Sequence, residues 1–209
     1  MALSNYGELK TAVATLLDRS DLTASIPDFI AMLEARVNRE VKFRNRRMET
    51  VTTLAYNATD EADLPADFIE ARSTVWQSTP RRVLTYQTPA QFETDHPTDT
   101  PSLPDNFTIV GNTLKIGPFP SGTEGVELRY YQRLTSLSGD TDTNWLLTYH
   151  PDVYLYGAAL ASAPHLGDDN RLQVWMGLYD RAAAEVQGDD ARARYNGAPL
   201  SPALSVSVV

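Results

Sequence analysis

Glu61 with Asp63, and Glu124 with Glu127, are the carboxylate pairs whose spacing could support chemistry. Glycoside hydrolysis uses two such acids, one protonating a leaving oxygen and one attacking or activating water, with pKa values pushed apart. Both pairs fall in loop-like polar segments or exposed strand positions, and a chain with 27 acidic residues in 209 contains such pairs by composition alone. They read as solvated surface. The three histidines, His96, His150 and His165, are scattered and do not gather the three or four convergent ligands of a metal site. His150, beside Pro151, reads as part of a helix start. There is no G-x-S-x-G elbow, no phosphate-cradling G-x-x-x-x-G-K-[ST] loop and no G-x-G-x-x-G fingerprint. The chain has no cysteine, which removes disulfides, thiolate catalysis and thiolate metal sites together. No catalytic residue, cofactor or metal is expected, and the reading points away from an enzyme.

Two other constellations are distinctive. Trp145, Tyr149, Tyr154 and Tyr156, with Trp175 further on, make an aromatic-dense run. Such a set could stack sugars or bases. Its flanking residues are Leu and Ala rather than Lys and Arg, and it sits on helix starts, so core and subunit interface are the expected roles. Arg36, Arg39, Lys42, Arg44, Arg46 and Arg47 form the densest basic stretch. It reads as the solvated last turn of a helix, as a contact to another subunit or partner, or as a DNA contact. The net charge of −9 weighs against the last, because nucleic-acid binders gain affinity by neutralising phosphates. An acidic surface lining a channel would instead repel phosphates and let DNA slide.

The elements that must position these residues change period along the chain. Asn5 with Glu8 resembles a capping box, followed by an apolar stripe of Leu9, Val13, Leu16 and Leu17. A second helix starts at Thr23 to Ser25, with Pro27 and Asp28 in its first turn and an apolar face of Ile26, Phe29, Ile30, Leu33, Val37 and Val41. From Met48 to Tyr56 the pattern is β-branched and alternating, as in a half-buried strand. Asn57 to Asp63 reads as a polar loop, Ile69 to Gln77 and Arg81 to Tyr86 as strands, and Thr88-Pro-Ala-Gln91 as the cap of a short helix to Asp95. Gly111-Asn112 sits between two short strands from Phe107 to Ile116, and Val126 to Arg133 alternates again. Pro151-Asp152 opens a helix carrying Val153, Tyr156, Ala159, Leu160 and Ala163 inward, ended by Pro164 and Gly167. A last helix follows Asp168-Asp169 with Leu172, Trp175, Met176, Tyr179, Ala183 and Val186 on one face.

The fold class expected is α+β, a bundle of N- and C-terminal helices with an inserted antiparallel β module. The divisions are 1–46 for the helical hairpin, 47–134 for the module, 135–195 for the C-terminal helices and 196–209 for an extended tail. The tail has no helical period and is too apolar for an ordinary solvated terminus, so it reads either as a loose terminus or as a segment that orders on a partner by strand addition or groove docking. The amino terminus lacks the basic flank and apolar core of a signal peptide, and no apolar run approaches the roughly 20 residues of a membrane span. The expectation is a soluble chain that makes no membrane contact.

Several blocks, in this order, resemble the head-to-tail adaptors (connectors) of tailed bacteriophages. Leu22-Thr-Ala-Ser-Ile-Pro-Asp-Phe-Ile30 with Glu34-Ala-Arg-Val-Asn-Arg39 is similar to that family's first helical hairpin. Leu64-Pro-Ala-Asp-Phe68 resembles the entry to its β module. Tyr130-Tyr131 with Leu134 and Leu137, then Thr143-Asn-Trp-Leu-Leu147, resembles the return to helix, and Asp152 to Ala158 and Asp168 to Trp175 complete the match. The resemblance implies a structural virion protein at the neck, assembled in the host cytoplasm. It further implies a homo-oligomeric ring of about a dozen copies beneath the portal, binding tail or nozzle proteins below. Such a ring extends the DNA channel without sequence-specific binding and helps retain the packaged genome. The basic stretch, Trp145 and Tyr149 are the expected subunit interface, and Leu200, Leu204, Val206, Val208 and Val209 the expected portal-docking residues. The competing readings are a virion-associated cell-wall hydrolase and a carbohydrate-binding module presenting Trp76, Tyr86 and Tyr130.

Overall fold

The computed structural model describes residues 3–55, 61–98, 100–120, 124–166 and 169–195. In chain order the elements are α1 (Tyr6–Leu17), α2 (Ile26–Arg39), β1 (Glu49–Leu54), β2 (Glu61–Asp63), β3 (Phe68–Trp76) and β4 (Arg82–Tyr86). They continue with α3 (Pro89–Asp95), β5 (Asn106–Val110), β6 (Thr113–Gly117), β7 (Val126–Gln132), α4 (Trp145–Tyr149), α5 (Pro151–Ala161), α6 (Ala163–Leu166) and α7 (Arg171–Tyr195). The fold is α+β. Two compact units emerge, one from Met1–Asn45 with Ser136–Val209, the other from Arg46–Thr135.

In the helical unit, α1 begins where Asn5 accepts a hydrogen bond from the Glu8 amide at 2.9 Å. Glu8 reaches back one residue further than a capping box requires, to the amide and hydroxyl of Ser4. α2 has no side-chain cap, but Pro27 and Asp28 occupy its first turn, where a missing N–H costs nothing and a negative charge suits the dipole. Ile26, Phe29, Ile30, Leu33 and Val37 are buried as the period requires. Val41 is not: the helix stops at Arg39, and a 3-10 turn over Val41–Phe43 turns Val41 outward and Phe43 inward.

The C-terminal helices differ from the sequence reading in which faces they bury. On α5 the buried residues are Val153, Tyr154, Gly157, Ala158 and Ala159, so Tyr154 rather than Tyr156 points inward. Leu160 and Ala163 are only half-buried. A Cβ on Gly157 would lie 2.5 Å from Leu33 Cδ1, so α2 and α5 touch at a point that only glycine leaves open. Pro164 opens α6 rather than ending α5, because a proline is tolerated in the first turn of a new helix. On α7 the buried row is Trp175, Tyr179, Ala182, Ala183 and Val186, one residue removed from Met176, which is exposed. Gly188 lies inside α7 and does not end it.

The second unit is a seven-stranded sheet in the order β1-β7-β3-β4-β5-β6-β2. Every pairing is antiparallel except β4 with β5, which is parallel through Thr85↔Asn106 and Tyr86↔Phe107. The sheet is therefore mixed, contrary to the all-antiparallel expectation. The physical reason is α3: a helix and loop between two strands carry the chain back to the starting end, which a tight turn cannot do. Thr88 caps α3 by accepting from the Gln91 amide. Part of the expected polar loop at 57–63 is instead β2, which pairs with β6. Gly111, at φ 62, turns the β5–β6 hairpin. Trp76, Leu84, Phe107, Leu114, Ile116, Leu128 and Tyr130 belong to this unit's own core.

Candidate functional site

The helical unit is held at its centre by a buried carboxyl. Glu34 follows Ile30 by one turn and precedes Val37 by another, which places it on the buried face of α2, 4% exposed. It accepts hydrogen bonds from the Tyr154 hydroxyl at 2.9 Å and from the Leu137 amide at 3.1 Å. Asn144 donates to the same tyrosine oxygen at 2.6 Å while capping α4 through its own carbonyl oxygen to the Leu147 amide. Burial pushes the Glu34 carboxyl above its ordinary value, partly offset by the donors from Leu137, Tyr154 and Ser136. Burial also raises the Tyr154 phenol, helped by the adjacent Glu34. The arrangement ties α2, α5 and the start of α4 together. A glutamate whose helical position falls between Ile30 and Val37 is the sequence signal that could have revealed it.

The basic stretch separates into residues that pack and residues that face solvent. Arg36 lies over the Tyr179 ring at 4.7 Å, and Lys42 over the same ring at 5.1 Å. Both pair with Glu40. Arg44 donates to the Asn38 carbonyl at 3.0 Å. These contacts cover Tyr179, whose burial first of all pushes its phenol up to about 12. Arg39 and Arg46 are exposed, and Arg47 is half-buried. Trp145 is half-buried at the start of α4, while Tyr149, at its end, is 54% exposed. Between α5 and α7 a groove of about 280 Å³ is lined by Asp152, Tyr156, Leu178, Arg181, Ala182 and Glu185.

The residues weighed for catalysis are dispersed. Glu61 pairs with Lys115 at 3.0 Å on β2 and β6. Glu127 is held below its usual range by a hydrogen bond from Arg129, aided by Arg81, the opposite of what a general acid requires. His96 packs on Phe92, His165 on Phe29, and His150 sits 3.6 Å from Asp189. Among the described residues no three His, Cys, Asp or Glu side chains gather where a metal could bind. No described helix is long and apolar enough to cross a membrane. Trp76 and Tyr130 are buried at 1% and 4%, the latter donating to Asp67, and only Tyr86 of that trio is exposed. They form no glycan platform. Leu200, Leu204, Val206, Val208 and Val209 lie outside the described residues.

What the geometry leaves is surface: exposed cations at and after the end of α2, an exposed tyrosine ending α4, and a polar groove between α5 and α7. The sequence matches the SU10 adaptor protein family over residues 4–203, which spans both units. The chain belongs to that family. An adaptor of this kind is a structural phage protein, and its family is non-enzymatic. No curated protein matches the sequence. For an adaptor the functional residues are those that meet other proteins, so burial within one chain sorts the interface candidates. Arg36, Lys42 and Arg44 make contacts within their own chain, and Arg39, Arg46 and Tyr149 are the exposed residues of the set.

Proposed function

We propose that this adaptor joins head to tail: copies close into a ring of about a dozen beneath the portal, and the ring's far side receives tail or nozzle proteins. The ring would extend the DNA channel, help retain the packaged genome and act at the neck of the virion after assembly in the host cytoplasm. The observation that carries this reading is the family match across residues 4–203, which engages the whole described chain rather than a fragment. Arg39, Arg46 and Tyr149 are the strongest interface candidates, followed by half-buried Trp145 at the start of α4. The net charge of −9 suits a channel component, since acidic walls do not grip phosphates.

Native mass spectrometry of the purified chain mixed with its portal protein tests the reading. The expected result is a portal-bound ring of uniform stoichiometry, visible as one closed annulus by electron microscopy. A chain that never associates with portal, yet hydrolyses cell-wall polymer or retains glycan, would overturn it in favour of one of the competing readings.

A further inference from the structure

The two edges of the seven-stranded sheet are not equivalent. At one end, β2 is three residues long and carries Glu61 and Asp63, so brevity and charge blunt it. At the other end, β1 is six residues long, Glu-Thr-Val-Thr-Thr-Leu, with no proline and no lysine. Its register with β7 is unbroken from Glu49↔Tyr131 to Leu54↔Val126, so no bulge twists it away. Among the described residues it pairs with β7 alone. Val51, in the middle of its outward row, is 57% exposed. Proteins protect an unbroken, β-branched edge of this length or use it to receive another strand.

The same chain carries a segment of matching length and pattern. Fourteen residues follow α7, and the last six read Leu204-Ser-Val-Ser-Val-Val209. Leu204, Val206 and Val208 alternate with Ser205 and Ser207, the period-two signature of a strand with one apolar side. Fully extended, fourteen residues reach roughly 45–50 Å from the end of α7, enough to leave one subunit and lie along another. We infer that Leu204–Val209 of one copy adds as an eighth strand to the outer edge of β1 in the neighbouring copy. This rests on the ring reading above, because a closed head-to-tail ring gives every copy one donor and one acceptor and leaves neither unused.

The absence of cysteine makes the test direct. Val51→Cys is combined in one full-length chain with Leu204→Cys, Val206→Cys or Val208→Cys in turn, so that the register need not be known beforehand. Rings are formed with portal, oxidised and run without reductant. The expected outcome is a ladder of dimers, trimers and higher species from one of the three pairs, lost when Ser207→Pro is added. Mixing differently tagged chains, each carrying one of the two cysteines, should give crosslinked heterodimers. Rings that form but yield no crosslink, or only crosslinks within one chain, overturn strand donation and leave the adaptor reading intact. A tail cysteine captured by a cysteine introduced in the portal instead of by β1 also overturns it. Failure to form rings at all removes both.

Discussion

Glu34 is the residue on which the helical unit's interior turns. Replacing it with alanine leaves the Tyr154 hydroxyl and the Leu137 amide buried without an acceptor, at a cost of about 2–4 kcal/mol in unfolding experiments. Glutamine keeps an acceptor oxygen and should stay within about 1 kcal/mol of the parent chain at neutral pH. The two proteins should diverge with pH. A carboxyl whose folded pKa is raised stabilises the fold fully below its unfolded value, near 4.5, and loses that contribution as pH rises through the folded value. Thermal melts from acid to neutral pH should therefore show Glu34→Gln gaining on the parent chain as pH rises. The cations in the last turn of α2 separate in the same spirit. Arg36→Ala removes a guanidinium from the face of Tyr179 and should cost about 1–2 kcal/mol of stability. Arg39→Ala, at an exposed position, should leave the melt within about 0.5 kcal/mol and weaken only ring formation. If Arg39→Ala forms rings as readily as the parent chain, that residue is not an interface residue.

At the scale of elements, two glycines in helices make opposite predictions. Gly157→Ala adds a Cβ 2.5 Å from Leu33 Cδ1, so the Leu33 side chain or the helix carrying it must shift, and the expected loss is about 1–3 kcal/mol despite the better helix propensity. On α7, Gly177 has open space where its Cβ would stand, and Gly177→Ala should stabilise by about 0.5–1 kcal/mol in chemical denaturation. Helix starts were legible in the sequence because capping is local: Asn5, Thr88 and Pro27 stand where the pattern put them. The strand runs and the Gly111 turn were legible for the same reason. The choice of Tyr154 over Tyr156 was not, because it is decided by Glu34, more than a hundred residues away, and no local period encodes that partner. The parallel step from β4 to β5 was hidden too, since direction depends on where α3 delivers the chain. For the site, the basic stretch was visible as composition, but its division into packed Arg36 and exposed Arg39 depends on Tyr179 arriving from α7.

For the whole molecule, charge is unevenly held: six of eighteen cations and only one of 27 acids fall between Arg36 and Arg47. A ring that sets this stretch against the acidic remainder of a sister copy should weaken as salt rises from about 0.1 M to about 1 M, where the screening length falls from about 10 Å to about 3 Å. Sedimentation velocity across that range should show rings giving way to smaller species; no change with salt would assign ring closure to apolar contacts instead. The sheet's core is complete within Arg46–Thr135, whereas α2 finds its partner, Gly157 on α5, only after that entire segment has passed. On a ribosome adding about 5–20 residues per second, the nascent α2 waits on the order of ten seconds with Phe29, Ile30 and Leu33 uncovered. Translation thus imposes an order of events: the sheet can close first, and no copy has a finished helical body to offer its neighbours until its synthesis is nearly done.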